Sequence, residues 1–168
     1  MKSTTLSYIG HNANNDRNEN DFYETPLDAI EDLIKHEKFD GKIWECSCGN
    51  GAISKPLIDR GYGDVKDFLK TDQKHDNIIT NPPFNIATEF ALHGLNSINN
   101  KMALLLKLSF LEGKKRSSVL FSQNNLKKVL VFSRRLGFKK KDKKGGLMAF
   151  AWFIWEKDYN GKPIIQWL

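Results

Sequence analysis

In Asp76-Asn77-Ile78-Ile79-Thr80-Asn81-Pro82-Pro83-Phe84 a strand signal runs straight into a corner that a strand cannot continue. Ile78 and Ile79 are β-branched and suit a covered parallel strand, whereas Pro82 and Pro83 have no N–H to give a ladder. The strand therefore stops here, and Asn81 falls at its carboxyl end, where open α/β sheets hold their ligands. Two prolines in a row fix φ and leave a rigid corner carrying an Asn amide, main-chain carbonyls and one aromatic ring. That set suits accepting hydrogen bonds from an amine and stacking on a flat ring. A plain loop ending in a core phenylalanine is the competing reading.

Upstream, Glu45-Cys46-Ser47-Cys48-Gly49-Asn50-Gly51 follows the apolar Lys42-Ile43-Trp44 and precedes the helix-like Ala52-Ile53-Ser54. Strand, glycine turn and helix make a nucleotide-type cradle, in which Gly49 and Gly51 let the backbone approach a ligand that a side chain would repel. It is not the dinucleotide fingerprint, because Ser54 stands where a third glycine would be. Together the two motifs resemble those of the S-adenosylmethionine-dependent amino-methyltransferases, in particular the adenine-specific DNA methyltransferases carried by phages and prophages. Their hallmark is an acidic residue with a Gly-x-Gly loop, followed downstream by Asn/Asp-Pro-Pro-aromatic.

The resemblance covers residues 22–168 and implies a Rossmann-like α/β sheet with helices on both faces. The implied activity is methyl transfer from S-adenosylmethionine to the N6 amino group of adenine in DNA, with low or short sequence specificity. Asn81, Pro82, Pro83 and Phe84 would form the pocket for the flipped base. Glu45 would face the methionine portion of the cofactor beside Ser47, Gly49 and Gly51, while Asp67 and Phe68 would hold its adenine ring. Tyr23, Thr25 and Pro26 match the family's amino-terminal cofactor motif, although Tyr23 is equally readable as a ring packing on the next helix. Lys107, Lys114, Lys115 and Arg116 lie in and beside the loop and helix that flank the target base in such enzymes, and Lys114 to Arg116 read equally as a solvated helix face. The same implication carries a bacterial cytoplasmic setting.

One departure from the family is large. Asp67 comes only sixteen positions after Gly51, too close for a helix and two strands at about 1.5 Å and 3.3 Å rise per residue. Pro56 occupies the place before Leu57 to Gly63 where an acidic residue would grip the cofactor's ribose. The expected sheet lacks a strand on the cofactor-adenine side, weakens ribose binding unless Asp59 or Asp64 substitutes, and exposes the first strand's edge. Such an edge is covered or paired, here by residues 64–69 or by a second copy in a homodimer.

Length and charge frame these motifs. At 168 residues and 40% hydrophobic content, one domain with a proper core is expected, and a formal charge of +6 is compatible with a polyanionic partner. No apolar run approaches roughly 18 residues, so no membrane span or signal peptide is expected. Cys46 and Cys48 are too close for an ordinary disulfide framework and read as small core residues. Residues 1–21 read as a flexible polar arm. Thr25 reads as a cap, Pro26 as the first helical residue, and Leu27, Ile30, Leu33 and Ile34 as the buried face of a helix to about His36.

After Phe84, residues 85–99 show helical spacing, with Asn96 to Asn100 as its stop and Met102 to Leu106 as a central strand. Lys128 to Phe132 reads as another strand, followed by a long hairpin through Leu147 to Trp155 and a last strand near residues 163–167. Lys139, Lys140 and Lys141 head a basic run that suits phosphate contacts, or a solvated hairpin tip. Trp152, Phe153 and Trp155 read as core. The histidines show no metal-ligand spacing. Two alternatives stay open: a non-catalytic relative that keeps the fold and a nucleic-acid-binding face, and a methyltransferase acting on an RNA base or glutamine amide.

Overall fold

The strands are β1 (Ile43–Trp44), β2 (His75–Thr80), β3 (Ile98–Lys107), β4 (Leu126–Val131), β5 (Phe150–Glu156) and β6 (Ile164–Trp167). They form one sheet in the order β1-β2-β3-β5-β4-β6. The computed structural model from which they are taken describes residues 24–47, 51–54, 68–123, 125–138 and 146–168. The neighbours β1, β2 and β3 run parallel, β5 runs antiparallel between β3 and β4, and β6 lies parallel to β4. This is a Rossmann-like arrangement, with one reversed strand inside an otherwise parallel sheet.

Period-two alternation sorts the strand residues onto two faces. Ile78, Leu104, Phe153 and Trp155 join one buried cluster, and Ile79, Leu105, Trp152 and Ile154 the other. Helix α2 (Ala87–Ser97) supplies Phe90 and Ala91 to the first, and helix α1 (Leu27–His36) supplies Ala29, Ile30 and Leu33 to the second. A third, short helix, α3 (Lys114–Val119), follows the 3₁₀ turn Leu108–Leu111. Trp152, Phe153 and Trp155 are fully buried, as their apolar run suggests.

α1 differs from its sequence reading in two ways. Pro26 is the N-cap with an extended ψ of 138°, and no side chain caps the helix. Because Pro26 is itself extended, the helix begins one residue later, at Leu27, and Thr25 stands one step too far out to cap. Leu27 and Ile34 are exposed, while Ala29 joins the buried face. The cause is a bond from Trp152 Nε1 to the Ala29 carbonyl, 2.9 Å: it draws the small Ala29 side of the helix onto the sheet and turns Leu27 and Ile34 to the flanks.

Two further expectations change. Residues 51–54 form a turn rather than a helix start. No loop separates α2 from β3: the strand begins at Ile98 directly after Ser97. Ser97 Oγ closes the helix on the His93 carbonyl (2.9 Å), and Asn100 Nδ2 reaches the Asp40 carbonyl (3.1 Å), so the polar residues expected to break the chain serve a helix end and a strand instead.

Among the described residues β1 is an end strand, as a shortened sheet requires. Residues 1–23, 48–50, 55–67, 124 and 139–145 lie outside those described, and with them the polar arm, Tyr23, Cys48, Gly49, Asp59, Asp64, Asp67, Lys139, Lys140 and Lys141.

An ionic cluster fixes how α1 lies on the sheet. Glu37, just past the helix, meets Lys101 Nζ and Lys128 Nζ at 2.6 Å each, near the starts of β3 and β4. At its other end, Arg134 beyond the carboxyl end of β4 holds Asp28 (2.9 Å) and Asp32 (2.8 Å). The amino terminus of α1, with Thr25 and Pro26, therefore points to the carboxyl edge of the parallel strands.

Candidate functional site

The first strand ends at Trp44, with Glu45 making one more bridge, and the second ends at Thr80. Trp44 is paired with Ile78, so the chain leaves both strands at the same edge of the sheet, one inter-strand spacing of about 4.8 Å apart. Glu45, Ser47 and Gly51 follow β1 there, Asn81 to Phe84 follow β2, and Lys107 ends β3. Thr25 and Pro26 approach the same edge from α1. Gly51 has φ +76°, in the left-handed region that glycine alone enters without strain.

Glu45 is only 3% exposed. Burial pushes its carboxyl above the usual glutamate range, against a smaller pull from the hydroxyl and main-chain N–H of Ser54. Ser54 stands close enough to draw on the Glu45 carboxyl but completes no well-formed hydrogen bond to Oε2, which is left unpaired among the described residues. A buried carboxylate oxygen left open beside a glycine turn is the condition a cationic or hydroxyl-bearing ligand would relieve. On that observation the chain fits a cofactor carrying an amino group at this point.

The Pro82–Pro83 corner leads directly into the 3₁₀ turn Phe84–Ile86 and then α2. Phe84 is half-buried, packs against both core clusters and faces the Phe150 ring at 5.6 Å between centroids. Lys107 Nζ stands 4.7 Å from the Phe84 centroid, a cation over a ring face. Sequence reasoning named both residues and missed that they touch. Phe138 and Phe150, which it did not single out, extend this aromatic group at 4.6 Å.

Other expected site residues lie elsewhere. Phe68 is fully buried, 5.2 Å from Trp44, 4.3 Å from Phe90 and 4.8 Å from His93 between ring centroids, so its ring packs in the core. Arg116 is taken up locally: its guanidinium donates to the carbonyls of Phe110 (2.8 Å) and Glu112 and covers the Phe110 ring. Lys114 and Lys115 are exposed on α3, with Lys115 3.3 Å from Glu89. The opposite edge carries a polar cleft of about 350 Å³ lined by Asp40, Asn77, Lys101, Lys127 and Glu156 among others. Glu156 there already pairs with Lys127 (2.6 Å) and Lys101 (3.5 Å). Among the described residues no His, Cys, Asp or Glu cluster suits a metal ion, and no helix is long and apolar enough to cross a membrane.

Comparison with solved structures supports the fold. A modification subunit of a candidate type I restriction enzyme from Vibrio vulnificus superimposes with a TM-score of 0.59 at 13% identity, over 84% of this chain and 45% of that one. A candidate RNA methyltransferase from Pyrococcus horikoshii gives 0.55 at 14%, over 80% of this chain and 87% of that one. A candidate class I S-adenosylmethionine-dependent methyltransferase from Listeria monocytogenes also gives 0.55 at 14%, over 85% and 64%. This chain has the class I methyltransferase fold. It spans under half of the Vibrio subunit and under two thirds of the Listeria protein. No family model matches the sequence. No curated protein matches it either.

Proposed function

We propose that this chain transfers a methyl group from S-adenosylmethionine to the N6 amino group of adenine in DNA. The carrying observation is the shared edge: Glu45, buried and with its Oε2 unpaired among the described residues, follows the strand next to the one that delivers Asn81-Pro82-Pro83-Phe84. Fold likeness to a restriction-modification subunit is consistent with it, and the net charge of +6 suits a polyanion.

Each residue has a physical task. The cofactor, when bound, supplies a methyl group on a positive sulfur, which leaves as a neutral thioether with the electron pair of the broken C–S bond. Glu45, with Ser47, Gly51, Thr25 and Pro26, would hold its methionine end. Asn81 Oδ1 and the Pro82 carbonyl would accept the two amine hydrogens of a flipped adenine, turning the nitrogen lone pair toward the methyl carbon. Phe84 gives the base a flat neighbour. The nitrogen sheds its proton to water once methylated, so no strong base is required. Pro82 and Pro83 keep the acceptors from swinging away.

The test is incorporation of labelled methyl groups into unmethylated DNA, with total RNA as a parallel acceptor and Asn81→Ala as control. Labelling of DNA that falls at least a hundredfold in Asn81→Ala is the expected result. Labelling of RNA alone, or of DNA equally by the variant, overturns the proposal.

A further inference from the structure

We infer that two copies of this chain join through β6, edge to edge, in one continuous sheet. Among the described residues β6 pairs with β4 alone and is the last strand of the sheet. Its side chains are bare: Ile164 is 57% exposed, Ile165 53% and Trp167 68%, three of the ten large apolar side chains exposed among the described residues, all within four consecutive positions. Between Ile164 and Trp167 there is no charge, proline or glycine of the kind that blunts a sheet edge. The strand at the other end differs: Ile43 and Trp44 of β1 are 3% and 8% exposed. The apolar edge open to a partner is therefore the one across the sheet from the edge expected to pair.

The backbone selects the partner. Leu168 N–H bonds the Val131 carbonyl (2.9 Å) and Ser133 N–H bonds the Leu168 carbonyl (3.3 Å), so both groups of Leu168 point to β4. Direction alternates along a strand, which turns Gln166 and Ile164 to β4 as well and leaves the N–H and C=O of Ile165 and Trp167 pointing outward. A second β6, laid antiparallel about a two-fold axis through Gln166, sets Ile165 of each copy opposite Trp167 of the other, and each of these two pairs exchanges both N–H···O bonds. Moving the axis to Ile165 would set Trp167 against Pro163, which has no N–H to give. Val129 pairs with Ile165 and Val131 with Trp167, so both side chains lie on the α2 face. There each isoleucine meets the other copy's indole, a favourable cross-strand pair. A strand edge of this same pattern satisfies backbone and side chains together, and the pattern is its own complement. The bare surface of the three side chains is roughly 350 Å² per copy, near half of what each partner gives a standard interface, which sets association on the order of 10 μM. Because the second strand runs the opposite way, the two Asn81 corners face opposite edges of the joined sheet.

Sedimentation velocity over roughly 1–200 μM reads the association without any methyl transfer. The wild type passes from one copy to two as concentration rises. Ile165→Pro removes an outward N–H while leaving the bonds to β4 in place, and it weakens association at least tenfold. Ile165→Lys/Trp167→Lys abolishes it, whereas Ile34→Gln, on the exposed flank of α1 (48%), leaves it unchanged. Disulfide trapping reads the axis: Gln166→Cys crosslinks two copies on oxidation, because the two-fold sets that position against itself at about 4.5 Å between Cα atoms, and Ile164→Cys does not. The wild type, with Cys46 buried, is the blank. Circular dichroism confirms that each variant is folded. A wild type that stays a single copy throughout, a dimer that survives both the proline and the lysine variants, or a dimer that Ile164→Cys traps and Gln166→Cys does not, overturns the inference.

Discussion

Lys107 places its ammonium 4.7 Å from the centre of the Phe84 ring, at the point where β3 ends beside the Asn-Pro-Pro corner. No carboxylate pairs with Lys107 among the described residues. The ring steadies the charge, and the charge remains open to an anion on its other side. Lys107→Ala should cost only about 0.5–1 kcal/mol of stability, the size of a partly exposed cation–π contact. It should also weaken duplex binding and reduce the salt slope by about one. Thermal melting and salt-titrated anisotropy check this, with Lys107→Arg restoring both; an unchanged slope would exclude phosphate contact.

Glu45 makes the site sensitive to pH. Burial raises its folded pKa above the unfolded one, so the folded chain holds an extra proton between the two values. Stability from this group is therefore greatest below the ordinary glutamate value of about 4.3 and falls as pH rises through the folded value. Glu45→Gln should raise the melting temperature at neutral pH and show little gain in acid. Binding a cationic amine here would expel the proton, so cofactor affinity in the wild type should climb with pH across the same window. Calorimetry in buffers of different ionisation enthalpy reads the released proton, and a pH-independent affinity would refute the contact.

Glu37 works in the opposite sense. Burial alone would push its carboxyl up, but the hydrogen bonds and charges of Lys101 and Lys128 outweigh that and hold it below the usual range. Its contribution is complete above about pH 4.3 and disappears as pH falls through the lowered folded value. Glu37→Ala leaves two half-buried ammonium groups unmatched and should cost about 2–3 kcal/mol at neutral pH, with a much smaller penalty in acid. Urea midpoints at the two pH values measure the difference.

Close packing limits one position under the sheet. A Cβ on Gly94 of α2 would land on the Met102 sulfur and meet Phe68 at 3.7 Å. Met102 and Phe68 are both fully buried, so Gly94→Ala should destabilise by about 1–3 kcal/mol. Combining it with Met102→Ala should recover part of that loss, and a double-mutant cycle showing simple additivity would rule out the contact.

Local chemistry made much of this molecule readable in advance. Ile78 and Ile79 running into Pro82 fixed a strand and its end, and the apolar stretch at Met102 fixed the central strand. What escaped were features decided by distant partners. The exposed flank of α1 follows from an indole on β5 bonding Ala29, and the loss of a loop after α2 follows from Ser97 and Asn100 finding carbonyls elsewhere. The resemblance assigned Phe68 to the cofactor's adenine ring, while its packing among Trp44 of β1 and Phe90 and His93 of α2 is decided by distant segments. For the site, the motifs located Asn81 and Glu45 by type, whereas their common edge depends on the Trp44–Ile78 pairing, which lies between segments far apart in sequence.

The direct handover from Ser97 to Ile98 has a mechanical result. From Phe84 the chain passes through a 3₁₀ turn, α2 and β3 without a linker and returns to Phe84 at Lys107. The contact closes a stiff ring of backbone that contains no hinge. A change at Lys107 is therefore felt at the Asn-Pro-Pro corner directly, without passing through the rest of the sheet.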